Sequence, residues 1–206
     1  GVSGTGKSKL PKLVAELTGG EHERISVRPD WTDSSDVLGY VDIQSDFRPG
    51  VFLETARQAS NDADRYYVSL VDEMNLARVE HYFAEVLSTI EDRHESSNGG
   101  YESGRLFPKN SSSQHGDWAT QNIPANMGIV GTVNMDESSH GFSRKVLDRA
   151  FTIELSEVDL SLDVSAATAS GTDDRPRWPI SYWHCSATRL SEANHSSPNF
   201  RASAET

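Results

Sequence analysis

Short apolar runs alternate with amphipathic stretches through the first three quarters of the chain. Tyr66-Tyr67-Val68-Ser69-Leu70-Val71 is nearly all apolar or β-prone, the signature of a central parallel strand buried on both faces. Ile25-Ser26-Val27, ended by Pro29, predicts a shorter strand, Met127 to Val133 a third and Ala150 to Leu155 a fourth. Between them lie helical patterns. Leu10, Leu13, Val14 and Leu17 recur at helical spacing over Lys7 to Leu17, with Gly19-Gly20 as the stop. Phe52, Ala56 and Ala59 share one side of Val51 to Ala59. Leu76, Val79, Phe83, Val86, Leu87 and Ile90 form one stripe, predicting a single helix from Leu76 to Ile90. Ser143 to Arg149 suits a short helix. Strands and helices alternating in this way predict an α/β fold with a parallel sheet flanked by helices.

The remaining stretches are less patterned. Gly39 to Asp42 leads into a loop ending at Arg48-Pro49-Gly50. Trp31 stands alone in polar surroundings, as a core plug or a partner contact. Residues 94–121 are poor in apolar side chains and read as a long hairpin or flexible insertion, with Leu106-Phe107 as a short strand and Trp118 as an anchor for its return. After Ser156 the pattern fades, which divides the chain into a core over 1–156 and a low-order tail or lid remnant over 157–206. Val158 to Ala169 is at most partly helical. Gly171 to Thr206 reads as poorly packed, with Trp178, Tyr182 and Trp183 as a small docking patch in the alternative.

Composition narrows the functional classes. A net charge of −12 over 206 residues disfavours non-specific nucleic-acid binding, which needs clustered Lys and Arg. The single cysteine, Cys185, excludes an intrachain disulfide and a cysteine-only metal cluster. No run of 18 apolar residues exists, so no membrane span is expected. With no signal peptide visible, a cytoplasmic location is expected.

Candidate chemistry begins at the first residue. Gly1-Val2-Ser3-Gly4-Thr5-Gly6-Lys7-Ser8 fits G-x-x-x-x-G-K-[ST], the phosphate-binding P-loop. Its glycines let backbone N–H groups nest around phosphate oxygens, Lys7 supplies a cation for the β- and γ-phosphates, and the Ser8 hydroxyl can ligate Mg²⁺. The alternative is a glycine-rich turn with a chance lysine. The strand Val68 to Val71 runs into Asp72 and Glu73. In P-loop NTPases the strand-end carboxylate, here Asp72, holds Mg²⁺ with the P-loop hydroxyl. Glu73 is then placed to activate a water. Taken alone, the same pair would serve as a helix N-cap. Asn134 ends the third strand at the carboxyl edge of the sheet, where ligands bind in such folds; an Asn in a turn is the plainer reading. Arg149 lies between a short helix and a strand, where it can reach a neighbouring subunit's site or simply pair with Asp148 on the surface.

Together, the P-loop, V-D-E-M-N-L-A-R-V-E, G-T-V-N-M-D and K-V-L-D-R-A-F resemble the AAA+ ATPases, most closely the branch of McrB-type restriction NTPases and the MoxR/dynein-like group. The resemblance covers about residues 1–156. It implies an ATP- or GTP-hydrolysing core with Mg²⁺, assembled as a homo-oligomeric ring, commonly a hexamer. Such a ring remodels or translocates DNA or protein through other domains or subunits. It further implies that Asn134 is the sensor-1 residue and Arg149 the arginine finger, with Arg144 or Lys145 as weaker alternatives. Two departures are expected: a core truncated before the P-loop, so that the first strand is missing, and no recognisable lid after Leu155. A non-catalytic nucleotide-binding module is the competing class. A small-molecule kinase fits less well, because a kinase needs neither the Asp-Glu pair nor the sensor Asn.

Overall fold

A computed structural model describes residues 6–97, 99–109, 111–134, 140–155 and 177–183. Helix α1 (Lys9–Thr18) opens the described chain and stops at Gly19, whose left-handed backbone turns it into β1 (Glu21–Ser26). Helix α2 (Ser35–Leu38) leads into an antiparallel hairpin of β2 (Gly39–Val41) and β3 (Phe47–Pro49). Helix α3 (Val51–Asn61) returns the chain to β4 (Tyr67–Asp72), buried at every residue. Beyond β4 come α4 (Val79–Tyr82), α5 (Ala84–Glu91) and a second hairpin of β5 (Arg93–Glu95) and β6 (Tyr101–Ser103). Then follow α6 (Ser112–His115), β7 (Met127–Gly131) and α7 (Arg144–Leu147).

The main sheet has the order β1–β4–β7 and is parallel throughout. Its register sets Ser26 beside Asp72 and Val71 beside Gly131, so all three strands deliver their carboxyl ends to one edge. The core holds Ile25, Val37, Leu38, Phe52, Leu53, Val71 and Val86 among others. Trp31 belongs to it: 8% exposed, it meets Tyr82 edge-on with ring centroids 5.3 Å apart.

Four expectations fail. The helix predicted from Leu76 to Ile90 is broken into a 3-10 turn (Met74–Leu76), α4 and α5, with Phe83 at the break. Tyr82 and Phe83 are both at most 1% exposed, and a continuous helix would turn adjacent side chains about 100° apart. Burying such a ring is worth about 1.5–3 kcal/mol. A helical hydrogen bond nets about 0.5–1.5 kcal/mol, so the break wins. The fourth strand is absent from Ala150 to Leu155, where Phe151 is 92% exposed and no strand among the described residues pairs with the backbone. The short strand expected at Leu106-Phe107 does not form, and only Arg105 bridges there, to Asn122. In α1 the leucines that set the helical spacing lie away from the core. Pro11, Ala15 and Thr18 are the helix's buried residues, while Leu10, Leu13, Val14 and Leu17 are exposed.

Within 94–121, Arg105 bridges to Asn122, Leu106 is buried, and the Arg57 guanidinium lies over the Trp118 ring. Residues 177–183 lie against the amino end of the sheet. The Trp178 N–H donates to the Thr18 carbonyl, and the Trp183 ring stacks on Tyr66 at 4.2 Å. Val158 to Ala169 falls outside the described residues. Among those described, no helix is long and apolar enough to cross a membrane.

Candidate functional site

Ser8 and Asp72 are 64 residues apart in sequence, and the Ser8 hydroxyl donates to Asp72 Oδ1 at 2.6 Å. Two features of the backbone bring this about. Gly6 adopts φ +82°, open to glycine at little cost, and its carbonyl receives the N–H groups of Lys9 and Leu10 to start α1. Ser8 thereby sits on the first turn, over the end of β4, with Lys7 beside it. Gly1, Val2, Ser3, Gly4 and Thr5, the rest of the P-loop, lie outside the described residues.

Asp72 is 3% exposed, and a bare carboxylate there would be costly. It is not bare. Thr132, just past β7, donates its hydroxyl to Oδ1 at 2.5 Å, and the Arg24 guanidinium of β1 pairs with Oδ2. Burial pushes the Asp72 carboxyl up, but the bonds from Ser8, Thr132 and Arg24, with the Arg24 charge, outweigh it and hold the group below the usual carboxylate range.

Thr132 joins the Asp72 carboxylate to the Glu73 backbone. While its proton goes to Asp72, its oxygen accepts the Glu73 N–H at 2.9 Å, and its carbonyl accepts the Met74 N–H at 2.8 Å. Glu73 is held at φ +53°, ψ +46°, a left-handed conformation that costs a side-chain-bearing residue about 1–2 kcal/mol. Non-glycine residues held in this region cluster at functional sites. The Asn134 amide donates to Glu73 Oε1 at 3.2 Å, and the Asn134 Oδ1 is buried without a partner among the described residues. Asn75 secures this arrangement from below. It is 1% exposed, donates to the Asn134 carbonyl at 2.7 Å, and accepts the His140 N–H on its own carbonyl.

Ser8, Asp72, Glu73 and Asn134 therefore converge at the carboxyl edge of the sheet, linked by hydrogen bonds. Arg149 does not join them. Its guanidinium pairs with Glu91 at the end of α5 and donates to the Lys145 carbonyl; Asp148, the partner expected for a surface role, is not the one it takes. Sequence reasoning missed two members of the site. Thr132 lies in Gly131-Thr132-Val133-Asn134, where a hydroxyl two residues before the Asn, at the end of an apolar strand, is the available signal. Arg24 lay just outside the predicted strand. Once β1 is extended to Glu21 and paired in parallel with β4, its period of two puts Arg24 on the face that carries Asp72.

The donor set suits a magnesium–triphosphate. Ser8 and Asp72 offer hard oxygens, and the Ser8 proton is committed to Asp72, which leaves the hydroxyl's lone pairs for a cation. Among the described residues no group of three or more His, Cys, Asp or Glu forms a metal cage, and Mg²⁺ is commonly held by one or two protein oxygens plus substrate phosphates.

A search of curated proteins found none that matches the chain. The family model for the AAA domain of the dynein-related subfamily matches residues 1–151. That span takes in the Gly6–Ser8 turn, the Asp72–Glu73 strand end and the Thr132–Asn134 turn, and the parallel sheet with flanking helices is the α/β architecture of P-loop NTPases. The chain belongs to the AAA family of P-loop ATPases, in its dynein-related subfamily.

Proposed function

We propose that this chain hydrolyses a nucleoside triphosphate, ATP with GTP as the alternative, and works as the motor subunit of a McrB-type restriction system. Gly1 to Ser8 cradle the triphosphate, with Lys7 on the phosphates. Ser8 and Asp72 hold Mg²⁺, which when bound offsets the charge of the β- and γ-phosphates. Glu73 accepts a proton from the attacking water as its oxygen bonds to the γ-phosphorus and the bond to the β-phosphate oxygen breaks. The unpartnered Asn134 Oδ1 accepts the water's other hydrogen and fixes its direction. Arg149 completes the site of the next subunit in a homo-oligomeric ring, commonly a hexamer in this family, and DNA or protein is engaged through other domains or subunits. The observation that carries this reading is the set of hydrogen bonds that ties Ser8 and Thr132 to the Asp72 carboxylate, Thr132 to the Glu73 N–H, and Asn134 to the Glu73 carboxylate.

Phosphate release tests it. Glu73→Gln should keep nucleotide affinity within about twofold and cut turnover by about 10²–10⁴-fold. Turnover at the parent rate would refute the role of Glu73. A second reading, a nucleotide-binding module without turnover, draws support from the Arg149–Glu91 pair, which keeps the proposed finger on its own subunit. Specific activity that rises with protein concentration favours the ring enzyme, and binding without turnover at any concentration favours the module.

A further inference from the structure

Arg24 has no part in the chemistry above, yet it takes the one oxygen of Asp72 left over by the two hydroxyls. A carboxylate offers about four acceptor directions over its two oxygens. Oδ1 is occupied by Ser8 and Thr132, so whatever approaches Asp72 must approach Oδ2, where the guanidinium already sits. The two partners differ in freedom. The Asp72 side chain is 4% exposed and tied by three donors, whereas the Arg24 side chain is 58% exposed at the end of a long stem. Arg24 is therefore the partner that can leave, because its charge passes into water at little cost.

We propose that Arg24 is a resident counter-cation of Asp72 that gives way to the metal. It neutralises Asp72 while no metal is bound and is displaced from Oδ2 when Mg²⁺ enters with the nucleotide. This rests on the reading of Asp72 as a metal-holding residue. Two consequences follow. The buried carboxylate is never left uncompensated between nucleotides, and it keeps the orientation the metal requires. Metal binding also competes with an internal ion pair, so Arg24 lowers the apparent metal affinity and acts as a positioning residue for Asp72.

The test is the affinity of the full chain for a fluorescent N-methylanthraniloyl-ADP, measured in EDTA and in saturating Mg²⁺. The ratio of the two dissociation constants reports metal coupling without hydrolysis. Arg24→Gln should raise that ratio about three- to tenfold, a modest effect because the Arg24 side chain is 58% exposed. Arg24→Lys, which keeps the charge, should stay within about twofold of the parent. Arg24→Thr, suited to an exposed strand position, replaces the Gln variant if that fails to fold. Asp72→Asn is the control and should collapse the ratio. If Asp72→Asn collapses it while the Gln and Thr variants leave it unchanged or lower it, the counter-cation role is overturned and the metal site stands. If Asp72→Asn leaves the ratio intact, the metal-holding reading and this proposal fall together.

Discussion

Replacing Thr132 by Val exchanges one hydroxyl for a methyl of the same size at a site 6% exposed, so the packing is kept and only the bridge is lost. Two bonds disappear: the 2.5 Å donation to Asp72 Oδ1 and the 2.9 Å acceptance of the Glu73 N–H. A hydrogen bond to a charged group contributes about 1.5–3 kcal/mol, and stranding a buried donor costs about 1–3 kcal/mol. Asp72 keeps the Ser8 and Arg24 donors and the Glu73 N–H is only part-buried, so the lower half of each range applies and the sum is about 2.5–4 kcal/mol. Urea unfolding should show that loss, equivalent to a fall of about 5–15 °C in melting temperature for a chain of this length. Turnover should fall further than stability implies. The methyl no longer pins Glu73, the proposed base, in its left-handed conformation, and misplacing such a group by about 1 Å costs about 10²-fold. Thr132→Ser keeps the hydroxyl and should restore turnover to within a fewfold of the parent. A Thr132→Val protein unfolding within about 0.5 kcal/mol of the parent and turning over normally would refute the bridge, since that is the scatter of neutral surface changes.

Two further outcomes follow from the same geometry. The folded carboxyl of Asp72 lies below its ordinary value of 3.8, so its contribution to stability is complete above that value and is lost as the pH falls through the lower folded value. Urea midpoints between pH 5 and pH 2.5 should drop more steeply for the parent than for Asp72→Asn, and parallel curves would contradict this. Glu91→Gln weakens the ion pair that keeps Arg149 on its own subunit, at a stability cost under about 1 kcal/mol for a partner 58% exposed. If Arg149 serves a neighbour, the protein concentration at which specific activity rises should fall in this variant, and an unmoved concentration profile would argue against that role.

What could be read from sequence tracks how local each feature is. Ser8, Asp72, Glu73 and Asn134 belong to short motifs whose spacing is set by a strand end and a turn, and β4 announced itself by an unbroken apolar run. Thr132 and Arg24 act on Asp72 across 60 and 48 residues, through a strand register that no local pattern encodes. The same holds for the failures in the fold. Ala150 to Leu155 has the alternation of a strand, but a strand exists only beside another, and none among the described residues pairs with it. The leucines of α1 have helical period, yet periodicity says nothing about which side of a helix meets the sheet. Tyr82 and Phe83 broke the long helix because two adjacent rings both found the core.

The conformation of Glu73 sets durability against use at one position. Glycine would sit there at ease, and asparagine nearly so, with the backbone released from its contortion. Either exchange would remove the carboxylate. If Glu73 is the base proposed above, sequence drift at residue 73 has an easy direction, toward a sturdier protein without turnover, and selection for turnover is what keeps the glutamate in place.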